Sequence, residues 1–260
     1  MFRITAIFLL ALLLLVLAGP VGAAPVLENL PYRISLGPWE KVAEVNLTLR
    51  ETEPGRYLAE FSGGAKGVWS LLSRWLPDWY RTEMILKNGR LQPLIIREKF
   101  QKDGHRVVKE YRFDYQNNRL ECWRQSDERP STREWQVPLK EAVYDPLSLF
   151  YNIRMGAFGP LTAGETWRFQ TIPTPDPQEF ILHLGPDTGQ IRKVMLTVRE
   201  KSGHERGPYF FQVGPEGVPR TAWIRVLRFG KLSGQLRDPG EIRKGDPFNL
   251  SGPGMSSRRD

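Results

Sequence analysis

Three histidines (His105, His183 and His204) and one cysteine (Cys122) are the side chains of this 260-residue sequence best suited to proton transfer, metal ligation or nucleophilic attack near neutral pH. The histidines stand far apart and lack the spacing of a metal site. His183 lies between Leu182 and Leu184, so in a strand it points away from their face. A nucleophilic cysteine needs a histidine within reach. Cys122 sits in the strand-like run Leu120–Gln125, where a free thiol packs as a small apolar group. A single cysteine also excludes an internal disulfide framework and a cysteine-rich zinc site. A Walker phosphate loop, a dinucleotide glycine fingerprint, His-Glu-x-x-His and a Gly-x-Ser-x-Gly elbow are all missing. The 29 Asp+Glu residues supply carboxylates, but no spacing singles out a catalytic pair. The expectation is a protein that is not an enzyme and uses neither metal nor cofactor.

The residues that do stand out are suited to binding. Trp69, Trp75 and Trp79 place three of eight tryptophans in eleven residues, and Val68, Leu71, Leu72, Trp75 and Trp79 fall at helical spacing. Pro77-Asp78 ends or kinks that helix. An indole ring offers a large apolar surface and one N–H that prefers a polar partner, so it suits the mouth of an apolar pocket. The helix over Gly67–Trp79 is thus either a lid over a cavity or a plug that fills it. A second helix is expected over Asp145–Met155, with Asp145 as cap and Pro146 in the first turn. On it Leu147, Phe150, Tyr151 and Arg154 share a face, while Leu149, Phe150 and Ile153 anchor it to a sheet. The candidate ligand contacts are Trp69, Leu72, Trp75, Trp79 and Tyr151.

Strands must position these helices. Alternation of period two recurs along the chain, as in Val45, Leu47 and Leu49, or Val107, Tyr111, Phe113 and Tyr115. Turn signals separate the runs: Pro54-Gly55, Asn88-Gly89, Asp103-Gly104 and Asn117-Asn118. Phe180, Leu182 and Leu184, then Val194, Leu196 and Val198, then Tyr209, Phe211 and Val213 form further strand faces. About a dozen short strands predict a mainly β protein: one large, strongly curved antiparallel sheet or open barrel-like assembly with two short helices.

Residues 1–23 read as a signal peptide. Arg3 precedes an apolar run from Ile4 to Ala18, and Val21-Gly22-Ala23 supplies small residues before the cut. The run is shorter than the ~20 residues of a spanning helix, which favours cleavage over an anchor. Residues 24–237 then form one β-rich domain in two halves, joined by the helix near 145–155. Residues 238–260, rich in Gly, Pro, Ser and Arg, read as a disordered tail. The expected location is periplasmic or extracellular, with no transmembrane span after cleavage. The formal charge of +8 is spread along the chain, which argues against a nucleic-acid partner.

Several segments together resemble an exported bacterial family, domain of unknown function 3108. They are Leu30-Pro31-Tyr32-Arg33-Ile34, Pro54-Gly55-Arg56-Tyr57, Arg90-Leu91-Gln92-Pro93-Leu94, the distinctive Asp145–Arg154 segment, Gly164-Glu165-Thr166 and Gly234-Gln235-Leu236. The resemblance spans roughly residues 30–236. It departs at Val213-Gly214-Pro215-Glu216-Gly217-Val218, where the family often carries a Trp-x-x-Asp step. It implies an exported β-rich protein and no particular activity. The resulting expectation is a non-enzymatic binder of an apolar or acyl ligand in the cell envelope. The alternative is an envelope protein-interaction or structural module without a small-molecule ligand. A sugar binder using exposed Trp or Tyr rings ranks behind both.

Overall fold

The computed structural model describes residues 26–65, 79–102, 104–139, 142–172, 178–200, 202–226 and 230–237. The expected signal peptide, the C-terminal tail, and Trp69, Leu72 and Trp75 lie outside the described residues. The strands in chain order are β1 (Val26–Leu36), β2 (Trp39–Glu53), β3 (Arg56–Ala65), β4 (Trp79–Lys87), β5 (Arg90–Lys102), β6 (His105–Asp114), β7 (Arg119–Ser126), β8 (Arg129–Pro138) and β9 (Val143–Tyr144). The single helix among the described residues, α1 (Pro146–Arg154), follows. Then come β10 (Thr166–Thr171), β11 (Gln178–Asp187), β12 (Arg192–Arg199), β13 (Glu205–Val213), β14 (Pro219–Val226) and β15 (Gly230–Leu236).

All fifteen strands join one open sheet in the order β8-β7-β6-β5-β4-β3-β2-β1-β15-β14-β13-β12-β11-β10-β9. Every neighbouring pair is antiparallel except β9 and β10, which run parallel because α1 carries the chain across between them. The tight turns follow their residues: Asn88 and Gly89 adopt φ of 52° and 72°, the left-handed pair that a two-residue hairpin requires. β8 and β9 are consecutive in sequence yet stand at opposite edges of the sheet. Val143 of β9 and Ile172 beside β10 pack with Ile96, Tyr111, Phe113 and Leu120 of β5–β7. The sheet therefore curls until its far edge covers its near half, but the two edge strands share no ladder. A sheet of this many twisted strands cannot stay flat, and curling buries its apolar side.

Strict alternation sets that inner side. Leu47 and Leu49 of β2, Tyr57 and Ala59 of β3, and Met84 of β4 face inward in register and form one core cluster with Leu147 and Tyr151 of α1. Gly63 continues the β3 row, and a Cβ there would meet the Glu44 carbonyl oxygen and Val45 Cγ1 at 2.5 Å. α1 thus fills the hollow of the first half of the sheet. Its start is locked by a buried capping box. Asp145 Oδ2 and Oδ1 accept from the Leu147 and Ser148 amides at 3.1 Å each, and Ser148 Oγ accepts from the Asp145 amide at 3.0 Å. Thr82 of β4, wholly buried, donates to Asp145 Oδ2 at 2.6 Å. Burial raises the Asp145 carboxyl above its ordinary range, against the hydrogen bonds from Ser148, Thr82 and Leu147 that favour its ionised form. One turn on, Asn152 grips β5: its amide donates to the Leu91 carbonyl and its oxygen accepts from the Leu91 amide, both at 2.8 Å.

One expectation is corrected here. Trp79 does not end a helix; it opens β4, pairing with Ser62 and Lys99. From Trp79 the chain has ladder partners on both sides, in β3 and β5, which a helical residue does not have.

Candidate functional site

The other side of α1 meets the second half of the sheet only in part: Leu149, 4% exposed, shares a core cluster with Phe180, Leu182, Leu184 and Val194, and Ile153 packs against it. Leu149 and Ile153, one turn apart, look toward the second half of the sheet across a cavity of about 870 Å³. Its far wall is built by the inward rows of three adjacent strands: Phe180, Leu182 and Leu184 of β11, Val194 and Leu196 of β12, and Phe211 and Val213 of β13. The register places Leu182 beside Leu196 and Val194 beside Phe211, so these rows form a continuous apolar surface. Pro146 and Phe150 of α1 and the Gly156–Leu161 turn complete the lining. The cavity stops at β11 because β10 fills its own inner face. Trp167 and Phe169 pack there against Phe158 and Tyr144, with Phe158 and Phe169 centroids 4.7 Å apart.

At one end the lining becomes charged. Arg154, the last residue of α1, donates from Nη1 to both Glu28 carboxylate oxygens at 2.8 and 2.6 Å, with their side chains only 7% and 4% exposed. Arg192 pairs with Asp187, and Arg220 Nε lies 2.7 Å from Glu216 Oε1. Tyr32 donates to the Pro219 carbonyl at 3.0 Å. Burial, with Glu28 second, pushes the Tyr32 and Tyr151 hydroxyls above the ordinary tyrosine range, so both stay protonated donors.

The described candidate contacts fall elsewhere. Trp79 stands on the outer face, because Tyr80, Thr82 and Met84 take the inward row; the Arg81 guanidinium lies 4.6 Å from its ring centroid. Tyr151 is 0% exposed and belongs to the core between α1 and the first half of the sheet, so it does not line the cavity. Helical geometry explains this: Leu147 and Tyr151 share one side of α1, and Leu149 and Ile153 another. The strand rows that do form the wall were visible as alternation, but alternation marks two faces without saying which one encloses a void.

The residues suited to chemistry remain dispersed. Cys122 is wholly buried, with its thiol pushed up to about 12 chiefly by that burial. His183 is on the face opposite Leu182 and Leu184, with Nδ1 2.9 Å from Thr166 Oγ1. Among the described residues, no three His, Cys, Asp or Glu side chains converge where a metal ion could be held. No described helix is long and apolar enough to cross a membrane.

An open, curled antiparallel sheet around one internal helix and an apolar hollow defines a β-barrel-like protein without barrel closure. The chain matches the family described as Protein of unknown function (DUF3108) over residues 31–184, more than half its length, and belongs to that family. That match ends at β11, so the β12–β15 part of the expected span lies beyond it. The chain is also similar to the solved structure titled "Crystal Structure of Beta-barrel-like Protein of Domain of Unknown Function DUF1849 from Brucella abortus", at 10% identity and a TM-score of 0.49, covering 83% of this chain and 96% of that one. No curated protein matches the chain.

Proposed function

We propose that this is an exported cell-envelope protein that binds an apolar or acyl ligand without catalysis. The observation that carries the reading is the cavity of about 870 Å³ walled by Leu149, Ile153, Leu182, Leu184, Leu196 and Phe211. That volume is in the range of small-molecule sites, roughly 300–1,000 Å³, and its lining suits a hydrocarbon. Each methylene moved from water into such a wall contributes about 0.8 kcal/mol, so an acyl chain binds without an elaborate polar site. Export rests on the apolar run Ile4–Ala18 and the small residues Val21-Gly22-Ala23. The binding site is the second half of the sheet together with α1.

The rival reading, a protein-interaction module, would use the free edge of the sheet at β8. That strand carries Pro130, Arg129, Arg133, Glu134 and Pro138 and is mostly exposed. Charged residues and prolines on an edge discourage strand addition, which weighs against this use.

Native mass spectrometry of protein purified from its own envelope tests the proposal, together with uptake of a fluorescent fatty acid. Bound lipid and saturable uptake are expected, and Leu196→Trp, which extends a half-buried wall residue into the void, abolishes uptake while the protein stays folded. Protein that carries no lipid and takes up no fatty acid overturns the reading.

A further inference from the structure

The apolar body of the cavity has a single charged end, and its donors have a shared peculiarity. Arg192 continues the inward row Val194–Leu196–Val198 of β12 and sits opposite Val213 of β13. Pro219 is the next partner of Val213, and Arg220 is the residue that the β13–β14 register skips between Pro219 and Thr221. Arg154 arrives from α1 against the same β13–β14 turn: a Cβ on Gly217 would lie 3.1 Å from its Cγ. Three inward arginines on three different elements therefore gather at one end of an otherwise apolar space.

Each guanidinium engages a carboxylate with only part of its five-donor fork. Arg154 reaches Glu28 through Nη1, yet its Nε–H is buried without a hydrogen-bond partner among the described residues, in a side chain more than nine-tenths buried. Arg192 reaches Asp187 through Nη2, and its Nε is likewise buried without a partner among the described residues. Arg220 reaches Glu216 through Nε, in a side chain 34% exposed. A buried N–H on a charged group is costly to leave unmatched. Arg192 and Arg220 both line the cavity and stay partly exposed, 21% and 34%, so the rest of their forks is open to an acceptor there.

We infer that the cavity takes an acyl chain with an anionic head, and that the remaining guanidinium donors of Arg192 and Arg220, with Arg154 beside them, receive that head at the β13–β14 end. The inference rests on the acyl-binding reading above and adds the class of ligand. Glu28, Asp187 and Glu216 balance the three arginines, so net charge does not draw the head in. Charge-assisted hydrogen bonds from pre-positioned guanidinium groups hold it. The chain then extends along Leu196, Leu184 and Leu149.

The test is competition binding near neutral pH against a fluorescent fatty acid, with dodecanoate, dodecanol and inorganic phosphate as competitors. Dodecanoate and dodecanol share a chain and differ in the head. Dodecanoate is expected to bind at least about tenfold more tightly than dodecanol, the scale of a hydrogen bond to a charged group. Arg192→Gln is expected to lower dodecanoate affinity and narrow that ratio, whereas Lys193→Gln, on the exposed outer face, keeps the wild-type ratio. Inorganic phosphate alone is expected to leave the fluorescent fatty acid in place. Equal binding of acid and alcohol, or an equal loss of both in Arg192→Gln, overturns the anionic head while leaving the acyl cavity intact. Displacement by inorganic phosphate as effective as that by dodecanoate overturns the amphiphile in favour of a plain anion site. Binding of neither chain overturns the acyl cavity itself.

Discussion

Glu28 and Arg154 make the most informative pair to perturb, because one ion pair ties the first strand to the end of α1 across 126 residues of sequence. Glu28→Leu removes the carboxylate and leaves a guanidinium that is only 7% exposed. A buried charge stripped of its partner costs about 3–5 kcal/mol, and Arg154→Met strips Glu28 in the same way. The double variant Glu28→Leu/Arg154→Met leaves neither charge behind. It replaces two desolvated ions by apolar side chains of similar reach, so its stability is expected within about 2 kcal/mol of the wild type. The single effects should therefore fail badly to add. Equilibrium urea unfolding followed by tryptophan fluorescence measures all four proteins. A double variant that loses the sum of the two single losses would refute the reasoning. It would mean that each side chain stabilises through its own packing, and that the pair is not a buried electrostatic unit.

Three further outcomes follow from particular sites. Glu98 is raised above the ordinary glutamate range, first by burial, and accepts from the Tyr111 hydroxyl at 2.9 Å; because its neutral form is favoured in the fold, it lowers stability as pH rises through its folded pKa. Glu98→Gln is thus expected to be more stable than wild type at neutral pH and equal to it well below the ordinary glutamate pKa of about 4.3, checked by thermal melts across pH. Cys122, buried with a thiol pushed up to about 12, should stay unmodified by a thiol reagent near pH 8 and react quickly in denaturant; fast reaction of the native protein contradicts its burial. Gly63→Ala places a Cβ 2.5 Å from the Glu44 carbonyl oxygen, whereas Gly64 has nothing within 4 Å, so Gly63→Ala should cost more than about 2 kcal/mol and Gly64→Ala far less by the same urea assay.

The secondary structure was legible residue by residue because its causes are local. Period-two runs such as Val45–Leu47–Leu49 lie in β2, Asn88-Gly89 turns the chain with both residues at positive φ, and Asp145-Pro146 starts α1. Cys122 as a buried thiol and His183 turned away from Leu182 and Leu184 followed from the same alternation. Trp79 was misplaced because helical and strand spacing both fit a short apolar stretch, and only ladder partners from Ser62 and Lys99 decide between them.

The site was legible only in its parts. Alternation assigned Leu182, Leu184, Val194, Leu196, Phe211 and Val213 to strand faces, and the helical pattern set Leu149 and Ile153 on α1. Neither pattern says that α1 packs its Leu147 and Tyr151 side against β2–β4, while its Leu149 and Ile153 side meets β11 and β12 and borders a hollow. Glu28, Arg154, Arg192 and Arg220 carry no sequence signal as a group, since single charged residues scattered along a basic chain look like solvated surface. Sequence alone thus determines which residues alternate, turn and cap, because those preferences act between near neighbours. The curl of fifteen strands decides which rows face each other and where space remains, because it is the summed twist and packing of residues far apart in the chain.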